Sequence, residues 1–122
     1  MIDRTYIHCP GVGPKSEQTL WQAGYKRWTD VLESPKEVPI SHSKLQPFLN
    51  IVENSQISLE GKDVEWLASA IPPREHWRAF PQFGQDVCYL DIETDGTSGG
   101  DSVTIIGAYD GIELQQFIRG VN

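Results

Sequence analysis

Tyr89-Leu90-Asp91-Ile92-Glu93-Thr94 sets two carboxylates two residues apart within an apolar and β-branched run. Such a run favours a strand. Side chains at i and i+2 of a strand share one face. Asp91 and Glu93 are therefore expected to project together, with Cys88, Leu90 and Ile92 on the opposite face. Adjacent carboxylates repel, and burying them in a sheet interior is costly unless a cation neutralises them. Hard divalent ions such as Mg²⁺ and Mn²⁺ prefer oxygen donors. Two such ions, about 4 Å apart, activate water and stabilise the leaving oxygen in phosphodiester hydrolysis. The same pair on a solvated strand edge would do no chemistry. A paired-carboxylate glycosidase is a further reading, although nothing in the chain suggests a carbohydrate cleft lined with aromatics.

A second constellation lies near the N-terminus. Cys9-Pro10-Gly11-Val12-Gly13-Pro14 reads as a tight turn, its glycines permitting positive φ and its prolines fixing the flanks. A helix follows at once. A glycine turn at a helix N-terminus exposes backbone N–H groups, which together with the helix dipole attract a phosphate. Gly11, Val12, Gly13 and Lys15 are the expected nucleic-acid contacts, holding the sugar–phosphate backbone without reading its sequence. A protein–protein or purely structural copy of this turn stays open beside that reading. His8, Trp21 and Trp28 are assigned to packing rather than to ligand binding.

The elements that must position these residues fall into three stretches. Residues 1–34 are turn and helix, with a helix expected over Lys15–Ala23, stopped by Gly24, and a short one capped by Thr29 and ended by Pro35. Residues 35–80 read as a helical connector. Leu45, Phe48, Leu49 and Val52 have helical spacing, as do Val64, Leu67, Ala68 and Ile71, before Pro72-Pro73 ends the pattern. Residues 81–122 read as strands over Val87–Thr94, Val103–Tyr109 and Ile112–Ile118, the last two joined by an Asp110-Gly111 hairpin. Trp77 and Phe80 are expected to dock the connector onto this sheet. Arg78 is read as a structural residue first, and as a reach toward the acidic site or a phosphate second.

The 122 residues suffice for one domain or two small ones, and 39% hydrophobic content with four Trp indicates a folded core. No apolar run reaches the roughly 18 residues of a membrane span, and no signal-peptide pattern opens the chain. Cys9 and Cys88 sit in no metal or redox spacing and are read as buried small hydrophobes in a reducing cytoplasm. The net charge of −7 argues against broad coating of a duplex. Residues 1–28 alone carry +2, however, and a carboxylate cluster is what a divalent-metal site requires.

Asp-Ile-Glu-Thr on a first strand, followed by an antiparallel meander, resembles the first motif of the DEDD exonucleases of the ribonuclease H-like superfamily. The longer pattern is similar to exonucleases of the YprB type. It runs from Tyr6-Ile7-His8-Cys9-Pro10-Gly11-Val12-Gly13-Pro14-Lys15, through Leu20-Trp21, Trp28 and Trp77-Arg78-Ala79-Phe80-Pro81, to the strand of Asp91 and on to Val103–Gly111. The resemblance covers nearly the whole chain. It implies an α+β chain: a helix-hairpin-helix-like segment at 1–34, a connector at 35–80, and at 81–122 the first three-stranded meander of a truncated ribonuclease H-like α/β fold. It implies a 3′–5′ exonuclease acting on DNA or RNA, with Asp91 and Glu93 as catalytic metal ligands for two Mg²⁺ or Mn²⁺ ions. Asp95 stands where the family usually has a second Thr, and is assigned to the loop. Two further aspartates and a Tyr or His base of that family have no counterpart here. Asp101 and Asp110 are read as loop and turn residues, not as substitutes. The expectation is thus a fragment, inactive by itself and poorly soluble. A non-catalytic module binding nucleic acid or protein through the glycine hairpin is the alternative.

Overall fold

The computed structural model describes residues 1–96 and 103–121. Asp101 lies outside them. The chain is α+β and divides into two compact units, Met1–Pro81 and Gln82–Asn122. The helices are α1 (Pro14–Gln22), α2 (Trp28–Glu33), α3 (His42–Glu60), α4 (Val64–Ala70) and the single turn α5 (Phe80–Phe83). Short 3₁₀ turns cover Ile2–Arg4, Pro35–Glu37, Pro73–Ala79 and Gly84–Asp86. The strands are β1 (Tyr89–Thr94), β2 (Val103–Tyr109) and β3 (Leu114–Ile118).

In the first unit, stretches 1–34 and 35–80 share one core, to which the segment read as a connector supplies Val38, Phe48, Val52, Leu67 and Ile71. α3 carries Phe48, Val52 and Ser55 on its buried side, against α2 with Trp28 and Val31. Pro14 opens α1, where a missing N–H goes unnoticed, and Gly24 with φ 101° follows its end. α2 is capped not by Thr29, which lies inside it, but by Asp30, whose Oδ2 accepts from the N–H groups of Lys26 and Arg27 at 2.8 Å each. Asp63 caps α4 by accepting from the Trp66 N–H at 3.0 Å. Trp28 is fully buried, and its indole N–H donates to the Thr5 carbonyl at 2.7 Å. Tyr6 is also fully buried. It stacks on Phe48 at 5.8 Å between centroids and donates its hydroxyl to the Arg27 carbonyl at 2.6 Å. Burial pushes that phenol far above its usual range, and the Asp30 carboxylate adds to the effect.

One charge is buried with this core. Glu17 of α1 is 2% exposed. Its Oε1 accepts from the Tyr6 N–H at 2.7 Å and from Arg78 Nη1 at 2.9 Å, and its Oε2 from Arg78 Nη2 at 3.0 Å. Arg78 also contacts Glu75 through Nε at 2.8 Å. A bidentate guanidinium and a backbone N–H satisfy the carboxylate as water would have done. Arg78 therefore belongs to the interior of the first unit, not to an acidic site or a phosphate.

The second unit is a three-stranded antiparallel sheet in the order β1-β2-β3. Asp91 pairs with Gly107 and Ile92 with Ile106, and the register shifts between Glu93 and Thr94. Gly107 in turn faces Gln116. β1 starts two residues later than the sequence pattern suggests, and Ile112 lies outside β3. The β2–β3 connection is a four-residue turn, Asp110–Glu113, rather than a two-residue one. The Asp110 carboxylate accepts from the N–H groups of Ile112 at 2.9 Å and Glu113 at 2.8 Å, and Gly111 takes φ 96°. Those bonds, Glu113's first, hold the Asp110 carboxyl below its ordinary range. No described residue of this unit is buried. Cys88 is accordingly exposed, against its expected burial, whereas Cys9 is buried; both thiols are free.

Candidate functional site

β1 directs Asp91 and Glu93 to one face of the sheet, about 7 Å apart along the strand at 3.3 Å per residue. In register on the same face lie Gly107 and Gln116 beside Asp91, and Ile105 and Ile118 beside Glu93. Gly107 leaves the space next to Asp91 open, since a Cβ there would stand 4.0 Å from the Asp91 Cβ. Both carboxylates are exposed rather than set in a sheet interior. The opposite face carries Leu90, Ile92, Ile106, Ala108 and Phe117. Asp95 follows β1 and is not part of the strand. Among the described residues, no group of three or more His, Cys, Asp or Glu side chains converges on a metal position. Two carboxylates with an open face do fit one Mg²⁺, which typically keeps several waters and takes one or two carboxylates plus substrate phosphate oxygens. They are not a donor set for two ions.

The glycine hairpin belongs to the other unit. It is closed by the Val12 N–H donating to the Cys9 carbonyl at 3.1 Å, with Gly11 at φ 75°. Only Gly11 uses glycine's conformational freedom. Gly13 is extended, at φ −107°, as the N-cap of α1. What Gly13 contributes is openness, with nothing within 4 Å of where its Cβ would be. Val12 is buried, so it can offer a ligand only backbone. Lys15 is exposed on the first turn of α1.

A cleft of about 220 Å³ opens beside this turn, lined by Gly11, Val12, Ser16, Thr19, Ser41 and Lys44 among others. Gly13 and Lys15 do not line it. Lys44, in the first turn of α3, takes the place expected of Lys15. Its ammonium stands 2.9 Å from where a Gly11 Cβ would lie, so a side chain at position 11 would displace it. The helix dipole disfavours a cation in a first turn, and α3 has no acidic residue there to offset Lys44. That unfavourable placement was the signal available in the sequence. α1 also carries a first-turn cation, Lys15, there alongside the acidic Glu17. The two helix starts therefore combine orphan N–H groups with ammonium charge, a local positive field inside an acidic chain.

His8, beside the hairpin, is not a ligand in waiting. Ser55 donates its hydroxyl to the Ile51 carbonyl at 2.6 Å, so at 2.8 Å the His8 Nε2–H must donate to the Ser55 oxygen. Nδ1 is then a buried lone pair without a partner among the described residues. Burial lowers the imidazole pKa to about 4, which agrees with a neutral ring that has nowhere to place a second proton. Burial, with the Glu17 carboxylate, pushes the Cys9 thiol up to about 12 and makes it a packing residue.

No family model, curated protein or solved structure matches the chain. No described helix is long and apolar enough to cross a membrane.

Proposed function

We propose that the chain serves a divalent-metal-dependent 3′–5′ exonuclease of ribonuclease H-like type that hydrolyses nucleic-acid phosphodiester bonds. The observation that carries this reading is the register placing Asp91 and Glu93 on one sheet face beside the open Gly107. Asp91 and Glu93 would hold Mg²⁺ or Mn²⁺, which when bound supplies water activation and charge stabilisation at phosphorus. Mn²⁺ titration of the chain, followed by the paramagnetism of the ion, tests the pair. The expected outcome is binding that Asp91→Ala and Glu93→Ala each abolish. Mn²⁺ binding unchanged in both variants would sink the assignment. Degradation of strands labelled at either end, by a protein containing this chain, tests the polarity. Loss of label from 5′ ends would exclude a 3′–5′ direction.

A second reading has its own support in the hairpin cleft: a non-catalytic module that holds nucleic acid through Gly11, Val12, Gly13, Lys15 and Lys44. Binding should weaken as salt rises, and Lys44→Ala should reduce the magnitude of the salt slope by about 1. Absence of binding at low salt would remove this reading.

A further inference from the structure

The first unit contains a second cleft, of about 230 Å³, lined by Met1, Arg4, Trp21, Trp77 and Arg78. It is separate from the hairpin cleft, and neither the carboxylate pair nor the glycine turn explains it. The Arg78 guanidinium lies 5.7 Å from the Trp21 ring centroid and 5.6 Å from that of Trp77, bracing both indoles. Arg78 is itself immobilised by Glu17 and Glu75. Trp21 is further fixed by its indole N–H, which donates to the Arg4 carbonyl at 3.0 Å. The Trp77 side chain is thus held against a rigid support while 59% of the residue remains exposed. The contrast with fully buried Trp28 shows that this unit can bury an indole. Arg4 lies 5.9 Å over Trp21 and forms no ion pair among the described residues, whereas the charge of Arg78 is already balanced.

We propose that this cleft binds a base of single-stranded nucleic acid, stacked on Trp77, with the adjoining phosphate on Arg4. This rests on the nucleic-acid reading above and specifies the strand it takes. Flat, prefixed π surfaces suit a flat ring, because stacking then loses little side-chain entropy. The free guanidinium supplies the complementary charge for a phosphate. The volume is smaller than the roughly 300–1,000 Å³ of drug-sized pockets, which suits one base. A base inside a duplex is already stacked and paired, so the cleft selects unpaired strands. Stacking accepts every base, so little sequence preference is expected.

The test uses the whole chain with three probes: a short oligodeoxyadenylate, an abasic strand of equal length, and adenosine monophosphate. Binding is read by anisotropy and by tryptophan quenching. Trp77→Ala should weaken oligodeoxyadenylate binding by about fivefold to a hundredfold, the range for loss of one stacked base. It should leave the abasic strand unaffected, and Trp77→Phe should restore most of the loss. Arg4→Ala should weaken both strands. If oligodeoxyadenylate binds the parent and Trp77→Ala equally well, the cleft proposal is overturned while the hairpin reading survives. If no strand binds, the proposal and the nucleic-acid reading fail together, and Trp77-dependent quenching by adenosine monophosphate would then mark a mononucleotide site instead. Quenching by none of the three probes overturns the cleft. Unchanged melting of Trp77→Ala shows that the variant is folded.

Discussion

Met1–Pro81 and Gln82–Asn122 solve the same problem in opposite ways. The first unit has nine Lys and Arg against ten Asp and Glu, a net charge of −1. It buries aromatic rings, aliphatic side chains and even a carboxylate, which is fully paired. The second unit has one Arg against seven acids, a net −6. Neither face of its sheet buries a described residue, and it is held by strand ladders and by the Asp110 turn. Helices close a core by crossing one another, whereas a sheet buries a face only under a second layer. Chemistry follows the same division. The first unit offers preformed clefts, and the second an open row of carboxylates.

The largest effect expected from breaking this contrast is in the first unit. Arg78→Ala leaves the Glu17 carboxylate buried without its partner and should cost about 3–5 kcal/mol, read by urea unfolding. A loss below about 1 kcal/mol would mean that water replaces the guanidinium. The next effect is on pH dependence. His8 has an ordinary pKa of 6.5 and a folded value of about 4. Below pH 6.5 the unfolded chain takes up a proton that the folded one refuses, so stability falls as pH drops toward 4 and is intact above 6.5. The full loss is about 3 kcal/mol. His8→Gln should flatten this slope, and a slope that persists would assign it to another group. The smallest effect is a matched pair. Ile71→Val, at a position 1% exposed, should cost about 0.5–1.5 kcal/mol. Ile92→Val, at 54% exposed, should cost less than about 0.5 kcal/mol. Equal costs would show that the sheet packs against something. Amide hydrogen exchange sharpens the same comparison. Val52 and Ser55 should be protected far longer than Ile92 and Ile106.

Local pattern made the elements legible. The 3.6-residue spacing around Phe48 and Val52, the stop at Gly24 and the alternation around Asp91 all have causes within a few residues, and each element formed close to where that pattern put it. The shared face of Asp91 and Glu93 follows from strand geometry alone. Features that depend on long-range partners were not legible. Glu17 reads as an ordinary helical acid until Arg78 reaches it, and Lys44 becomes part of the hairpin only once α3 packs beside Gly11. Cys88 was misread because an apolar strand suggests burial, and burial needs a covering layer that the sequence of the strand does not specify. Gly13 was misread because a glycine in a turn suggests positive φ, and its actual backbone is extended.

The clamp between Glu17 and Arg78 also sets an order of events in time. The two residues are 61 positions apart, so their contact closes a loop spanning most of the first unit. Long-range closure is slow relative to helix formation. During synthesis α1, α2 and α3 are complete before residue 78 emerges, and until then Glu17 must remain hydrated. The Tyr6 N–H and the Trp21 face are correspondingly unfinished. The last segment of this unit to be made is therefore the one that seals its first helix.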